Sequence, residues 1–126
     1  MNIYLVEDDS IYAEFIKKSL AQNQAYKINH FLSAEDALKA IKNGLRDGII
    51  IIDYKLPGMS GIELYESIKG NVNGIHKVIM LSAIDDGNMV LSFIQKGVRD
   101  YVIKNENVIE SLVAVLEGRD DDYLFN

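Results

Sequence analysis

The sequence predicts an α/β fold, a parallel five-stranded sheet with helices on both faces, and three observations predict it. Short aliphatic runs alternate five times with segments of helical periodicity. The clearest run, Ile49-Ile50-Ile51-Ile52, is apolar at every position, as a strand covered on both faces requires. Polar, chemically capable residues stand directly after most of the runs, at the carboxyl ends of the strands where an open parallel sheet binds its ligands.

The elements follow in order. Ile3–Val6 is the first buried strand, and Ser10 to about Asn23 is a helix carrying Ile11, Phe15, Ile16 and Leu20 at helical spacing, with Asp9 or Ser10 as N-cap. Ile28–Leu32 is the second strand. Ser33-Ala34-Glu35-Asp36 resembles a capping box, and the helix it opens runs through Ala37, Leu38 and Ile41 to a stop at Asn43-Gly44. Ile49–Ile52 is the central strand. The loop Tyr54-Lys55-Leu56-Pro57-Gly58-Met59-Ser60-Gly61 holds the sole proline, in a tight turn, and Gly61 is expected to permit unusual backbone angles. Ile62–Lys69 is a helix ended near Gly70, Val78–Leu81 a strand, and Asn88–Lys96 a helix closed by Gly97, with Leu91 and Phe93 as its inward residues. Tyr101–Ile103 is the last strand and Val108–Glu117 the last helix. Five strand–helix units in strict alternation argue for a parallel sheet covered by helices on both faces.

Composition narrows the function. A chain of 126 residues, 48% hydrophobic and 25% charged, is a single domain with a core large enough to fold without a staple. The absence of cysteine excludes disulfides, thiol catalysis and cysteine metal sites, and is compatible with a reducing cytoplasm. A net charge of −6 with no basic run disfavours direct nucleic-acid binding and anionic membrane surfaces. The amino terminus lacks the pattern of a signal peptide, and no apolar run approaches a membrane span.

The strand ends supply the chemistry. Glu7, Asp8 and Asp9 follow the first strand, Asp53 the third, Ser82 the fourth and Lys104 the fifth. Singly, each has an ordinary reading: acids before a helix favour its dipole, and an aspartate starts turns. Gathered at one sheet edge, the carboxylates repel one another unless a cation lies among them. Oxygen donors beside a lysine suit Mg²⁺ and a phosphoryl group rather than Zn²⁺.

These residues carry a resemblance. Leu5-Val6-Glu7-Asp8-Asp9-Ser10, Ile52-Asp53-Tyr54-Lys55-Leu56-Pro57-Gly58-Met59-Ser60-Gly61-Ile62-Glu63-Leu64, Leu81-Ser82-Ala83 and Tyr101-Val102-Ile103-Lys104 occur in the order and spacing of response-regulator receiver domains of bacterial two-component signalling. The resemblance spans residues 2–117 and implies a flavodoxin-like (βα)5 doubly wound sheet of strand order 2-1-3-4-5. It implies that Asp53 accepts a phosphoryl group from a histidine kinase or a histidine phosphotransfer protein. Mg²⁺ would be held by Asp8 directly, by Glu7 mainly through water, by Asp53 and by the backbone carbonyl of Lys55. Lys104 would pair with the phosphoryl oxygens, Ser82 would be the switch hydroxyl and Tyr101 the aromatic that turns inward after it. Val90, Ile94 and Tyr101 would form a surface for a downstream protein partner, and the Lys55 side chain would line the mouth of the pocket.

On this reading the chain is a cytoplasmic phosphorylation switch, not a turnover enzyme, with a receiver domain over 1–117 and a short acidic tail over 118–126. Since no output module follows Glu117 in this sequence, signalling through protein contacts rather than direct DNA binding is expected. Two alternatives stand beside it. One is a receiver-like interaction module that works without phosphate. The other is a Mg²⁺-dependent phosphohydrolase, disfavoured because Lys55 occupies the place where haloacid-dehalogenase-type enzymes carry a second aspartate. One departure from the family pattern is notable: Asn105 follows Lys104, where proline is usual and often joined by a cis bond, which leaves the geometry of Lys104-Asn105 open. His30 and His76 are isolated and have no ligand spacing. Tyr123-Leu124-Phe125 is expected to be disordered, with docking on a partner as its other reading.

Overall fold

The structure, a computed structural model, describes residues 1–45, 47–68, 75–83 and 87–118, and of residues 76 and 89 only the backbone. Ten elements alternate: β1 (Asn2–Val6), α1 (Ser10–Leu20), β2 (Lys27–Phe31), α2 (Ala34–Lys42), β3 (Gly48–Asp53), α3 (Gly61–Ile68), β4 (Ile75–Ser82), α4 (Gly87–Gln95), β5 (Asp100–Ile103) and α5 (Val108–Leu116). All four strand pairings are parallel and the sheet order is β2-β1-β3-β4-β5, the expected flavodoxin-like arrangement. The expected end of α3 at Lys69-Gly70, the segment after Gly118 with Tyr123-Leu124-Phe125, and the His76 side chain lie outside the described residues.

The period of two in a strand divides the core into two layers. Ile3, Leu5, Ile49, Ile51, Ile79, Leu81 and Val102 pack with Ala13, Ile16 and Leu20 of α1 and with Leu112 and Val115 of α5. Tyr4, Val6, Ile50, Ile52 and Met80 pack on the other face, with Ala37 of α2, Leu64 and Ile68 of α3, and Phe93 of α4. The four consecutive isoleucines of β3 thus serve both layers in turn, and all are nearly or wholly buried. Burying such a side chain contributes roughly 1.5–3 kcal/mol, which makes β3 the keel of the fold.

Local signals place the helices. Asp9 is the N-cap of α1, its Oδ1 accepting from the backbone N–H of Ile11 at 3.0 Å and of Tyr12 at 3.1 Å. Ser33 caps α2, accepting from the Asp36 N–H at 3.1 Å. Ser60 and Glu63 form a reciprocal capping box at α3: Glu63 N–H donates to Ser60 Oγ and Ser60 N–H to Glu63 Oε1, both at 3.2 Å. Gly58 in the Pro57-Gly58 turn has φ +73°, a conformation L side chains avoid.

Two expectations need correction, and the apolar residues of α1 divide between two faces. Ile11 and Phe15 do not face the sheet; they are 85% and 47% exposed, because Ala13, Ile16 and Leu20 form the inward stripe of α1. Leu91 is 53% exposed, so of the two inward candidates on α4 Phe93 alone is buried. Gly61 is needed for space and not for its backbone angles: its φ is not positive, and a Cβ there would collide with the Asp53 carbonyl.

Candidate functional site

Strand parity also sorts the polar residues at the strand ends. The ladder continues one residue past β1 and β5, with Glu7 N–H donating to Phe31 O at 3.0 Å and Lys104 N–H to Ser82 O at 2.8 Å. Glu7 therefore extends the face of Ile3 and Leu5, Asp53 that of Ile49 and Ile51, and Lys104 that of Val102, so the three converge above the α1–α5 layer. Ser82, Tyr101 and Tyr54 have the opposite parity and extend the layer that contains α4. The Tyr54 ring lies 5.3 Å from that of Phe93, joining the residue after Asp53 to α4.

The charged centre is compact. Lys104 Nζ donates to Glu7 Oε1 at 2.7 Å and to Asp53 Oδ2 at 3.1 Å. Glu7 is fully buried and Asp53 5% exposed, while Asp8 faces solvent. Carboxylate oxygens of Glu7, Asp8 and Asp53 lie within 4.8 Å of one another, a spacing that suits a shared cation. Glu7 Oε2 is buried and has no hydrogen-bond partner. A buried acceptor left unsatisfied beside two further carboxylates fits a hydrated, oxygen-liganded ion such as Mg²⁺.

Burial, and then the neighbouring Asp53 carboxyl, push the Glu7 pKa up to about 7 against the opposing pull of Lys104. For Lys104, burial disfavours the charge, but the bonds to Glu7 and Asp53 outweigh it and hold its pKa above the usual lysine value. Two acids and one ammonium thus share a nearly dry volume, in which a phosphoryl group would meet fixed positive charge at once.

The remaining expected residues fall as follows. Ser82 is 2% exposed, and Tyr101 is half-buried against the layer of Phe93. Val90 is half-buried and Ile94 58% exposed, with the corrected Leu91 beside it on α4. Lys55 is exposed at the edge of the site. The Lys104–Asn105 peptide is trans. Asn105 turns the chain into α5 instead: its N–H donates to Ile103 O at 2.9 Å, and its side chain accepts from the Asn107 N–H at 2.9 Å.

Two residues of the centre were missed from sequence. His30 Nε2 donates to the Glu7 carbonyl at 2.7 Å, fixing the backbone between the two acids. The signal lies in the register, which sets Leu5 opposite His30, and the linear sequence does not display it. Tyr12 places its ring 4.5 Å from Lys104 Nζ. An aromatic in the first turn of the helix after an acidic cluster was the available clue.

No helix among the described residues is long and apolar enough to cross a membrane. The chain is 33% identical over 110 residues to a cyclic di-GMP phosphodiesterase of Thermotoga maritima, covering 86% of this chain but 28% of that protein. It is 28% identical over 113 residues to the chemotaxis protein CheY of Listeria monocytogenes, covering 86% of this chain and 92% of that one. The receiver domain of a Francisella response regulator superposes with a TM-score of 0.79 at 26% identity, over 97% of this chain and 98% of its own. The family described as the response regulator receiver domain matches residues 3–117, a span that takes in every strand end described above from Glu7 to Lys104. With that match and its sheet order, the chain belongs to the response regulator receiver domain family of two-component signalling.

Proposed function

We propose that this chain is a phospho-accepting switch in which Asp53 takes a phosphoryl group from a histidine kinase or histidine phosphotransfer protein. The observation that carries the reading is the Lys104 ammonium bonded at once to Glu7 and Asp53 at the carboxyl edge of the sheet. An Asp53 oxygen attacks the phosphorus of a phosphohistidine in line with the P–N bond; the new P–O bond forms as that bond breaks, and the imidazole leaves. The transition state needs little beyond position and positive charge, and Lys104 supplies one such charge at the spot. Glu7, Asp8, Asp53 and the Lys55 carbonyl would hold Mg²⁺, which when bound neutralises phosphoryl oxygens.

The same reading assigns the output. Ser82 is the switch hydroxyl on the opposite parity from Asp53, next to the layer that holds Tyr101 and α4. Val90, Ile94 and Tyr101 present the surface that a downstream protein reads, over a receiver domain spanning residues 1–117. The domain's own chemistry is its phosphorylation and dephosphorylation, not turnover of a separate substrate. With −6 net charge, a direct nucleic-acid contact is not part of the proposal.

Intact-protein mass after incubation with Mg²⁺ and acetyl phosphate tests it. One added phosphoryl group is expected, absent without Mg²⁺ and absent in Asp53→Ala. Beryllofluoride binding is the companion measurement, since small donors differ in reactivity. Failure of both in the folded protein would overturn the phosphoacceptor reading and favour an interaction module independent of phosphate.

A further inference from the structure

Lysine is a flexible stem ending in a point charge, so two hydrogen bonds alone leave its ammonium free to pivot towards any nearby acid. Three carboxylates stand near Lys104, yet it bonds Glu7 and Asp53 and not the exposed Asp8. Its two partners are the buried acids, where charge is least screened, and the approach on its remaining flank is set by an aromatic ring. The Tyr12 ring lies 4.5 Å from Lys104 Nζ, within the range of a cation–π contact, and forms a wall on that flank. The Lys104 side chain is 18% exposed in consequence of that cover and its two bonds.

The Tyr12 ring is itself firmly held, and not by its hydroxyl. Its backbone N–H is capped by Asp9 Oδ1 at 3.1 Å, and the Phe15 ring leans on it at 5.8 Å. The ring packs on the layer of Ile16 and Leu112, while the hydroxyl oxygen is buried with no hydrogen-bond partner. A side chain placed by its backbone cap and its ring, with its polar end unused, acts through its π-face.

From this geometry we infer that Tyr12 is a positioning residue for the phosphorylation reaction, its ring seating the Lys104 ammonium between Glu7 and Asp53. This rests on the reading of Asp53 as phosphoacceptor. The half-exposed Phe15 acquires a purpose on the same view: it braces the ring from the solvent side.

The first test needs no phosphate. The Hε protons of Lys104 in the metal-free wild-type protein should resonate upfield of ordinary lysine values from the ring current of Tyr12, and Tyr12→Phe should keep the shift. Tyr12→Leu should abolish it. In the acetyl phosphate reaction at saturating Mg²⁺, Tyr12→Leu should be slowed roughly three- to tenfold and Tyr12→Phe held within about twofold of wild type, as loss and retention of a cation–π contact predict. An unshifted Lys104 in the wild type would overturn the inference, and so would a Tyr12→Phe as slow as Tyr12→Leu. If the shift is present but wild type takes no phosphoryl group, the phosphoacceptor reading has failed and the seating of Lys104 has not.

Discussion

Lys104 lies closer to Glu7, at 2.7 Å, than to Asp53, at 3.1 Å, so the ammonium at the end of β5 is anchored first to the most buried acid of the site. The proposed acceptor is its second partner. This ranking has consequences for stability as well as for chemistry.

Removal of the ammonium strands Glu7. Breaking a buried ion pair from one side costs up to about 3–5 kcal/mol, and with Lys104 partly exposed the loss for Lys104→Met should be roughly 1–3 kcal/mol at pH 8. At pH 5 the loss should be smaller, because Glu7 without Lys104 holds its proton more strongly and is then neutral. Urea denaturation at the two values checks this, and an equal loss at both would contradict the pairing.

Glu7 also sets a pH dependence in the metal-free protein. Its pKa is raised from 4.5 to about 7, so the folded form holds a proton that the unfolded chain releases. The stability this contributes is complete below 4.5 and is lost as the pH rises through about 7. In the presence of a chelator, the urea midpoint of Glu7→Gln should lack the part of the fall across that window that wild type shows. Identical slopes for the two proteins would argue against a buried, protonated Glu7.

On α4, burial separates two neighbours of similar chemistry. Phe93→Ala removes a ring that is 2% exposed and packs with Tyr54, and should cost about 3–5 kcal/mol. Leu91→Ala, at a residue 53% exposed, should stay within about 0.5 kcal/mol of wild type. Paired chemical denaturation curves give both values.

Asn105 should behave as the turn former that its hydrogen bonds describe. Asn105→Ala loses the acceptor for the Asn107 N–H and should cost about 1 kcal/mol, whereas Asn105→Asp keeps it and should be nearly neutral. Thermal melts of the two variants side by side would expose a different role if alanine proved as stable as aspartate.

The alternation of strands and helices was legible because runs such as Ile49–Ile52 must be covered on both faces. Boundaries slipped by a residue or more where Asn2, Lys27, Gly48 and Asp100 begin strands: the ladder carries these positions, not hydrophobicity. The faces of Ile11 and Phe15 were not legible because α1 has two apolar stripes. Periodicity alone does not say whether the one at 11 and 15 or the one at 13, 16 and 20 meets the sheet, and the small Ala13 hid the answer. Glu7, Asp8, Asp53 and Lys104 could be gathered from strand ends without coordinates. His30 and Tyr12 could not, since their contacts depend on the register of β2 against β1 and on the rotation of α1.

Asp53 and Tyr54 are consecutive, yet one belongs to the side of the sheet with the ammonium and the other rests on a ring of α4. A single peptide unit is all that separates them. The carboxyl end of β3 therefore serves both layers at once, the aspartate meeting the lysine and the tyrosine meeting α4. Because Gly61 packs against the carbonyl between them with no room for even a methyl group, any side chain at the start of α3 would push on the backbone that joins the two layers.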